Sequence, residues 1–296
     1  MTLARWPALL LSLGLALTAC GSRPAATPRP SDGLAVSYAV DSVRPREAFE
    51  LHVAPKGLAR ALLRSSWRGD PGGAVGFFAV RPTPAQRAEL ESVVREHALL
   101  ARRDEPGFTR EGSGYLRLAH GTRRGEVSLL SKDEGTRSLR LLLDGLLQSA
   151  RQRPLAALKL ASRARVDGPN ALVDVALVHQ GVKPLRLAIF EPKLPEGSLT
   201  LRVIFERGGR LADERFIAPD DLAKLIAKKK LPGGWHALAP GEKIVIPLPL
   251  TRLPAAPEAL AVRVEASVLA QLDGQRAVLS MSSEPAPLEP EAAPGE

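Results

Sequence analysis

The amino-acid sequence predicts an α+β domain over residues 33–160, followed by a mainly-β sandwich domain over residues 161–282. Three observations predict it. In the first region the apolar residues switch between a period of two and a period of about 3.6. Past residue 161 the alternating pattern dominates, in short segments separated by turn residues. The order β, β, β, α, β, β, α in the first region supplies helices to cover one face of a sheet.

Residues 34–40, 48–53 and 74–80 read as strands, the third bounded by Gly72-Gly73 and Pro82. Thr83-Pro84-Ala85-Gln86 then marks a helix start. Thr83 is the cap, Pro84 occupies the first helical position, and Gln86 completes a capping box. The recurrence of Ala85, Ala88, Glu89, Val93, His97 and Leu100 carries that helix to about Arg102 and puts His97 on its apolar stripe. Residues 114–119 and 126–130 form a hairpin around the loop 120–125. Leu139, Leu142, Leu143, Leu146, Leu147 and Ala150 recur at helical spacing and predict a helix over 138–151.

In the second region the strands fall at 172–178, 185–189, 199–205, 244–250, 260–268 and 278–281. Pro247 and Pro249 cannot donate to a ladder, so their strand is an edge or a bulged one. Residues 219–230 interrupt the strands as a short helical insertion, with Asp220 and Asp221 at its start and Lys228 to Lys230 at its end. Both groups complement the helix dipole, which accounts for the lysine run. The stretch 171–187, followed by Leu238-Ala239-Pro240-Gly241-Glu242, is similar to immunoglobulin-like accessory modules of bacterial envelope proteins, without their paired cysteines. That resemblance implies an immunoglobulin-like sandwich serving as a packing module.

The chain opens with Arg5 and an apolar stretch over 6–19 that is shorter than the ~20 residues a spanning helix needs. It reads as a secretion signal, residues 1–19. Leu17-Thr18-Ala19-Cys20 resembles the lipobox of bacterial lipoprotein precursors. The resemblance implies diacylglycerol on the Cys20 sulfur, cleavage before Cys20 and acylation of the new amine, so the partner is membrane lipid. Gly21 after the cysteine implies export to the outer membrane of the cell envelope. Residues 20–32, with Pro24, Pro28 and Pro30, form a flexible tether reaching up to ~35 Å from the lipid. Residues 283–296, rich in proline and glutamate, read as a disordered acidic tail.

Cys20 is the only cysteine, so the body has no disulfide and no thiolate site. The formal charge is +9; setting aside Arg5 and the four glutamates beyond Ser283 makes the body +12. Such a body is drawn toward anionic lipid or other polyanions. Without a recognisable module, nucleic acid is not an expected partner. His52, His97, His120, His179 and His236 are scattered, and no HExxH, GxSxG, SxxK or Walker pattern occurs. No catalytic, metal or cofactor-binding residue is therefore nominated. Gly72-Gly73-Ala74-Val75-Gly76 precedes a strand and reads as a tight turn with close packing, since a dinucleotide loop follows one. Arg68-Gly69-Asp70 is an incidental tripeptide.

The most unusual segment is 63–73, where Trp67 stands between Arg64 and Arg68. It is either a partner contact or a cap on a small core. Gly233-Gly234-Trp235-His236 has the same two readings, and packing is the preferred one. The expectation is a membrane-anchored envelope lipoprotein with a structural or protein-binding role and an envelope protein as partner. An envelope hydrolase or enzyme regulator, and a small-ligand-binding lipoprotein, are the alternatives. A deep apolar cleft would favour ligand binding, and a broad patch around Trp67 would favour a protein.

Overall fold

The computed structural model describes residues 33–42, 48–65, 73–105, 107–109, 112–190, 198–228, 230 and 234–290. Strands β1 (Leu34–Ser42), β2 (Phe49–Val53), β3 (Ala59–Leu63) and β4 (Val75–Val80) pair in succession, all antiparallel. After helix α1 (Pro84–Glu96) come β5 (Gly107–Thr109), β6 (Gly112–His120) and β7 (Arg123–Ser128). Here β6 lies on the free side of β1, and β5 and β7 both pair with β6. Helix α2 (Glu134–Arg151) leads into β8 (Pro154–Asp167), which pairs with β4 and with β9 (Asn170–Gly181). The edge beyond β9 is taken by β14 (Lys243–Leu250). The first sheet therefore runs β7-β6-β1-β2-β3-β4-β8-β9-β14.

The remaining strands centre on β15 (Ala261–Leu272). One side of it pairs with β11 (Thr200–Arg207) and then β10 (Leu185–Phe190); the other pairs with β16 (Gln275–Ser282). β12 (Arg210–Ile217) lies outside β11, and β13 (Gly234–Leu238) outside β10. The last strand, β17 (Ala286–Glu289), is antiparallel to β15 and parallel to β8. It joins all seventeen strands into one hydrogen-bonded network.

This topology overturns the expected immunoglobulin-like sandwich. The protein is a mixed α+β sheet structure, and its sheets are not closed into a sandwich of that kind. β8, β9 and β14 continue the sheet of the N-terminal region through the β4–β8 ladder, in which Val75 faces Leu158 and Phe77 faces Ala156. Among the described residues β14 is an open edge of that sheet, whereas the outer side of β7 is bridged by residues 102–104 through Arg103 and Glu126. Alternation of apolar residues records which face of a strand is buried, and it is silent about which strand pairs alongside. A single strand, β8, runs through the point between residues 160 and 161 where the sequence reading divides the body. The C-terminal segment also differs from expectation. Ser283 is buried, and β17 buries Leu288 at 5% exposure, so the folded body extends past residue 282. Residues 291–296 lie outside the described residues.

Two apolar clusters hold the molecule. In one, Leu90 and Val94 of α1 and Leu139, Leu143 and Leu146 of α2 pack on Val36, Tyr38, Leu51 and Leu116 of the first sheet. The other joins Leu158, Val173 and Leu177 to Leu187, Val203 and Val262 of the second sheet, with Leu222 and Ile226 of helix α3 (Pro219–Lys228). Burying such side chains from water stabilises the fold by roughly 1.5–3 kcal/mol each.

The helix ends follow local chemistry. Thr83 and Gln86 form the reciprocal capping box, at 3.2 and 2.9 Å. Helix α1 stops at Glu96, earlier than its apolar recurrence suggests, because Ala98 turns left-handed (φ 50°) ahead of a 3-10 turn at Leu99–Ala101. His97 is consequently an exposed cap residue packed on Gly135 and not a stripe residue. Helix α2 starts at Glu134 under the cap of Asp133, whose carboxylate accepts from the Thr136 amide at 2.8 Å.

The junction of the two regions depends on two glycines. At Gly76 (φ +137°) a Cβ would lie 2.5 Å from the Ala156 carbonyl oxygen, and at Gly181 (φ +127°) 2.5 Å from that of Leu155. Only glycine lets β4 and β9 approach the start of β8 this closely from its two sides.

Candidate functional site

The outer face of the second sheet has two contrasting halves. In one, cross-strand neighbours form a closed ionic network. Arg202 of β11 pairs with Glu214 of β12 and, at 3.1 Å, with Glu265 of β15. Arg263 pairs with Glu265 at 2.6 Å and with Glu206 at 2.9 Å. The guanidinium charges there are matched strand by strand.

The other half is cationic and aromatic. Trp235 of β13 lies beside Ala188, its register partner on β10. The guanidinium carbons of Arg186 and Arg276 lie 5.3 Å from its ring centroid, one from β10 and one from β16. Gln271 of β15 is the register partner of both arginines. Cation–π attraction holds both charges against one indole. Among the described residues neither arginine pairs with a carboxylate, although the same face matches its other arginines. Both are exposed, and Trp235 is half-buried. The exposed Val278 follows Arg276 on the same face of β16.

A second feature is a cleft of about 380 Å³ where the first sheet meets the β15–β16 hairpin. Its apolar lining comes from Leu58, Leu62 and Phe77 on one side and Leu155 and Leu272 on the other. Asp273 (φ 48°) and Gly274 (φ +84°) make the tight hairpin turn that brings the opposite wall close. Lys183, from the β9–β10 connection, pairs with Asp273 at 2.6 Å across the rim. Glu50 of β2 pairs with Arg64. His52 and Arg60 are register partners on β2 and β3 and also line the cleft. The His52 Nδ1 is 3.1 Å from the Ser37 hydroxyl. Burial, followed by the Arg60 guanidinium, holds the His52 pKa below its ordinary value. The Ser37–His52 pair thus has the Arg60 guanidinium beside it.

Of the residues singled out in the sequence, Cys20, Trp67 and Arg68 lie outside the described residues. Arg64 is at the end of β3. Its amide donates to the Ala48 carbonyl and its own carbonyl accepts from the Ser280 amide, both at 2.7 Å. Its side chain is engaged by Glu50. Ser65, the last described residue before Trp67, bridges to Ser280 of β16. His179 is buried, with Nδ1 3.0 Å from the Ala239 carbonyl oxygen and no hydrogen-bond partner for Nε2 among the described residues. Among the described residues no three His, Cys, Asp or Glu side chains are grouped to hold a metal ion. No described helix is long and apolar enough to cross a membrane.

The Arg186–Trp235–Arg276 cluster escaped the sequence reading because its members come from three strands far apart along the chain. The one signal available was Trp235 beside Gly233-Gly234, and that reads equally as packing.

No protein-family model matches this sequence, and no curated protein does. Among solved structures, one similar chain is described as the crystal structure of a protein from Archaeoglobus fulgidus. It is 11% identical, with a TM-score of 0.20, over 43% of this chain and 94% of that one. Another is described as the crystal structure of MHC-like MILL2, 7% identical with a TM-score of 0.16, over 83% of this chain and 99% of that one. Likenesses of this strength carry no functional argument.

Proposed function

We propose that this chain is a non-enzymatic lipoprotein of the cell envelope, tethered through acylated Cys20, that binds an envelope protein through the outer face of its second sheet. The observation that carries this reading is the Arg186–Trp235–Arg276 cluster, two exposed guanidinium groups on one indole with no carboxylate paired to them among the described residues. Tryptophan and arginine dominate interface hot spots, because a rigid ring and a multidentate donor both gain when water is excluded. Two like charges held together favour a partner that brings acidic groups to them. A tether of thirteen residues, 20–32, would confine this surface near the membrane and raise its effective concentration for a membrane-bound partner.

The test is capture from the native envelope with three baits: the lipidated chain, Trp235→Ala and Arg276→Glu. One acidic protein should be retained by the first, lost from both variants and released by salt. Identical proteins on all three baits would place the contact elsewhere. The small-ligand alternative has one observation in its favour, the cleft beside His52 and Arg60.

A further inference from the structure

We infer that the cleft between β3 and the β15–β16 hairpin is a binding site for a small amphipathic organic anion. The acid group would lie on Arg60 and the hydrocarbon part against Leu58, Leu62 and Phe77.

The charges around the cleft make the case. Lys183 is matched by Asp273, and Glu50 by Arg64. Arg60, an exposed residue lining the same space, makes no ion pair among the described residues. Its register partner His52 has Nδ1 engaged by Ser37, which leaves Nε2 as the other imidazole nitrogen for a ligand. Arg60 and His52 thus converge from adjacent strands on one side of the cleft, and a guanidinium fork matches a carboxylate or phosphate with two parallel hydrogen bonds. Beyond them the walls are apolar. Leu62 and Phe77 reach into the large buried cluster, and Leu58 stays 41% exposed at the rim. A purely polar ion would leave those walls wet, and a purely apolar ligand would desolvate Arg60 without compensation. A volume of about 380 Å³ suits a short-chain acid. An occupant would touch both β3 and the β15–β16 hairpin, so binding would brace the two sheets against each other.

The inference does not depend on the Trp235 surface. The test is isothermal titration of the full-length Cys20→Ser chain with octyl phosphate, octanoate and octyl glucoside, each below its micellar concentration, together with the thermal midpoint. The two anions should bind saturably at one site and raise the midpoint, whereas the glucoside should do neither. The tighter of the two anions identifies the head group as phosphate or carboxylate. Arg60→Ala and Leu58→Asp, at two exposed positions, should each weaken binding by about tenfold or more. Trp235→Ala should leave it unchanged. Equal binding of the glucoside, retention of affinity in Arg60→Ala, or no saturable binding of either anion would overturn the assignment.

Discussion

At the scale of single residues, the polar groups that matter most are those with several partners. Asp133 caps α2 and also accepts from Ser131 and, at 2.6 Å, from Arg102. Burial alone would raise its pKa, but the hydrogen bonds from Ser131, Arg102 and Thr136 outweigh it and hold the carboxyl well below the usual carboxylate range. A carboxyl depressed on folding stabilises above its unfolded pKa, near 4, and that contribution fades as pH falls through the folded value. Asp133→Ala should cost about 1 kcal/mol at neutral pH, read from denaturant midpoints, with the difference from the parent shrinking in strong acid. His179 has the opposite chemistry in the same direction. Burial lowers its pKa against the weaker opposing influence of the Ala239 carbonyl and Glu242. The unfolded chain therefore takes up a proton, at about pH 6.5, before the folded one does, and stability falls as pH drops below that value. Thermal midpoints between pH 7 and 5 should decline less steeply for His179→Gln. His52, also lowered on folding, contributes to the parent's decline in the same sense. Gly76→Ala meets backbone at 2.5 Å and a left-handed φ together, and should destabilise by roughly 3 kcal/mol or more.

At the scale of elements, local grammar was readable wherever one segment contained the whole signal. Thr83-Pro84-Ala85-Gln86 is such a case, and the structure places each of its residues in the role its chemistry indicates. Strands β3 and β8 are the counterexample. Ala59-Arg60-Ala61-Leu62-Leu63, and the Leu155-Ala156-Ala157-Leu158-Lys159-Leu160 portion of β8, consist of strong helix formers. They are strands because flanking strands supply ladders and their apolar side chains are buried in the two clusters, a context that overrides intrinsic preference. The edge strand β14 shows a subtler device. Pro247 and Pro249 face Asp174 and Leu172 of β9 and remove two donors from an otherwise apolar strand. Such an edge resists pairing with another copy. Replacing both prolines by threonine should promote self-association, visible as a concentration-dependent sedimentation coefficient; an unchanged monomer would show that the edge is protected by other means.

At the scale of the whole molecule, the two readings of function divide along the architecture. The proposed partner surface belongs to the second sheet alone, whereas the cleft forms where β15 and β16 are held against the first sheet through β17 and the Ser65–Ser280 bridge. Changes that loosen this junction should affect the cleft before the Trp235 cluster. The proposed tether is independent of both: Cys20→Ser should move the protein from the membrane fraction to the soluble fraction without altering its thermal midpoint, and persistence in the membrane would refute anchoring through that residue.

The Thr83 capping box and the inward face of each alternating strand were legible from sequence alone, because each is decided by residues within a few positions of one another; the Asp133 cap and the His97 helix end were not read. Pairing partners were not, so one continuous network read as two separate bodies. The Arg186–Trp235–Arg276 cluster and the cleft were hidden for the same reason: their groups meet across strands distant in the chain, and only the closing of long loops around a common core decides which distant residues become neighbours.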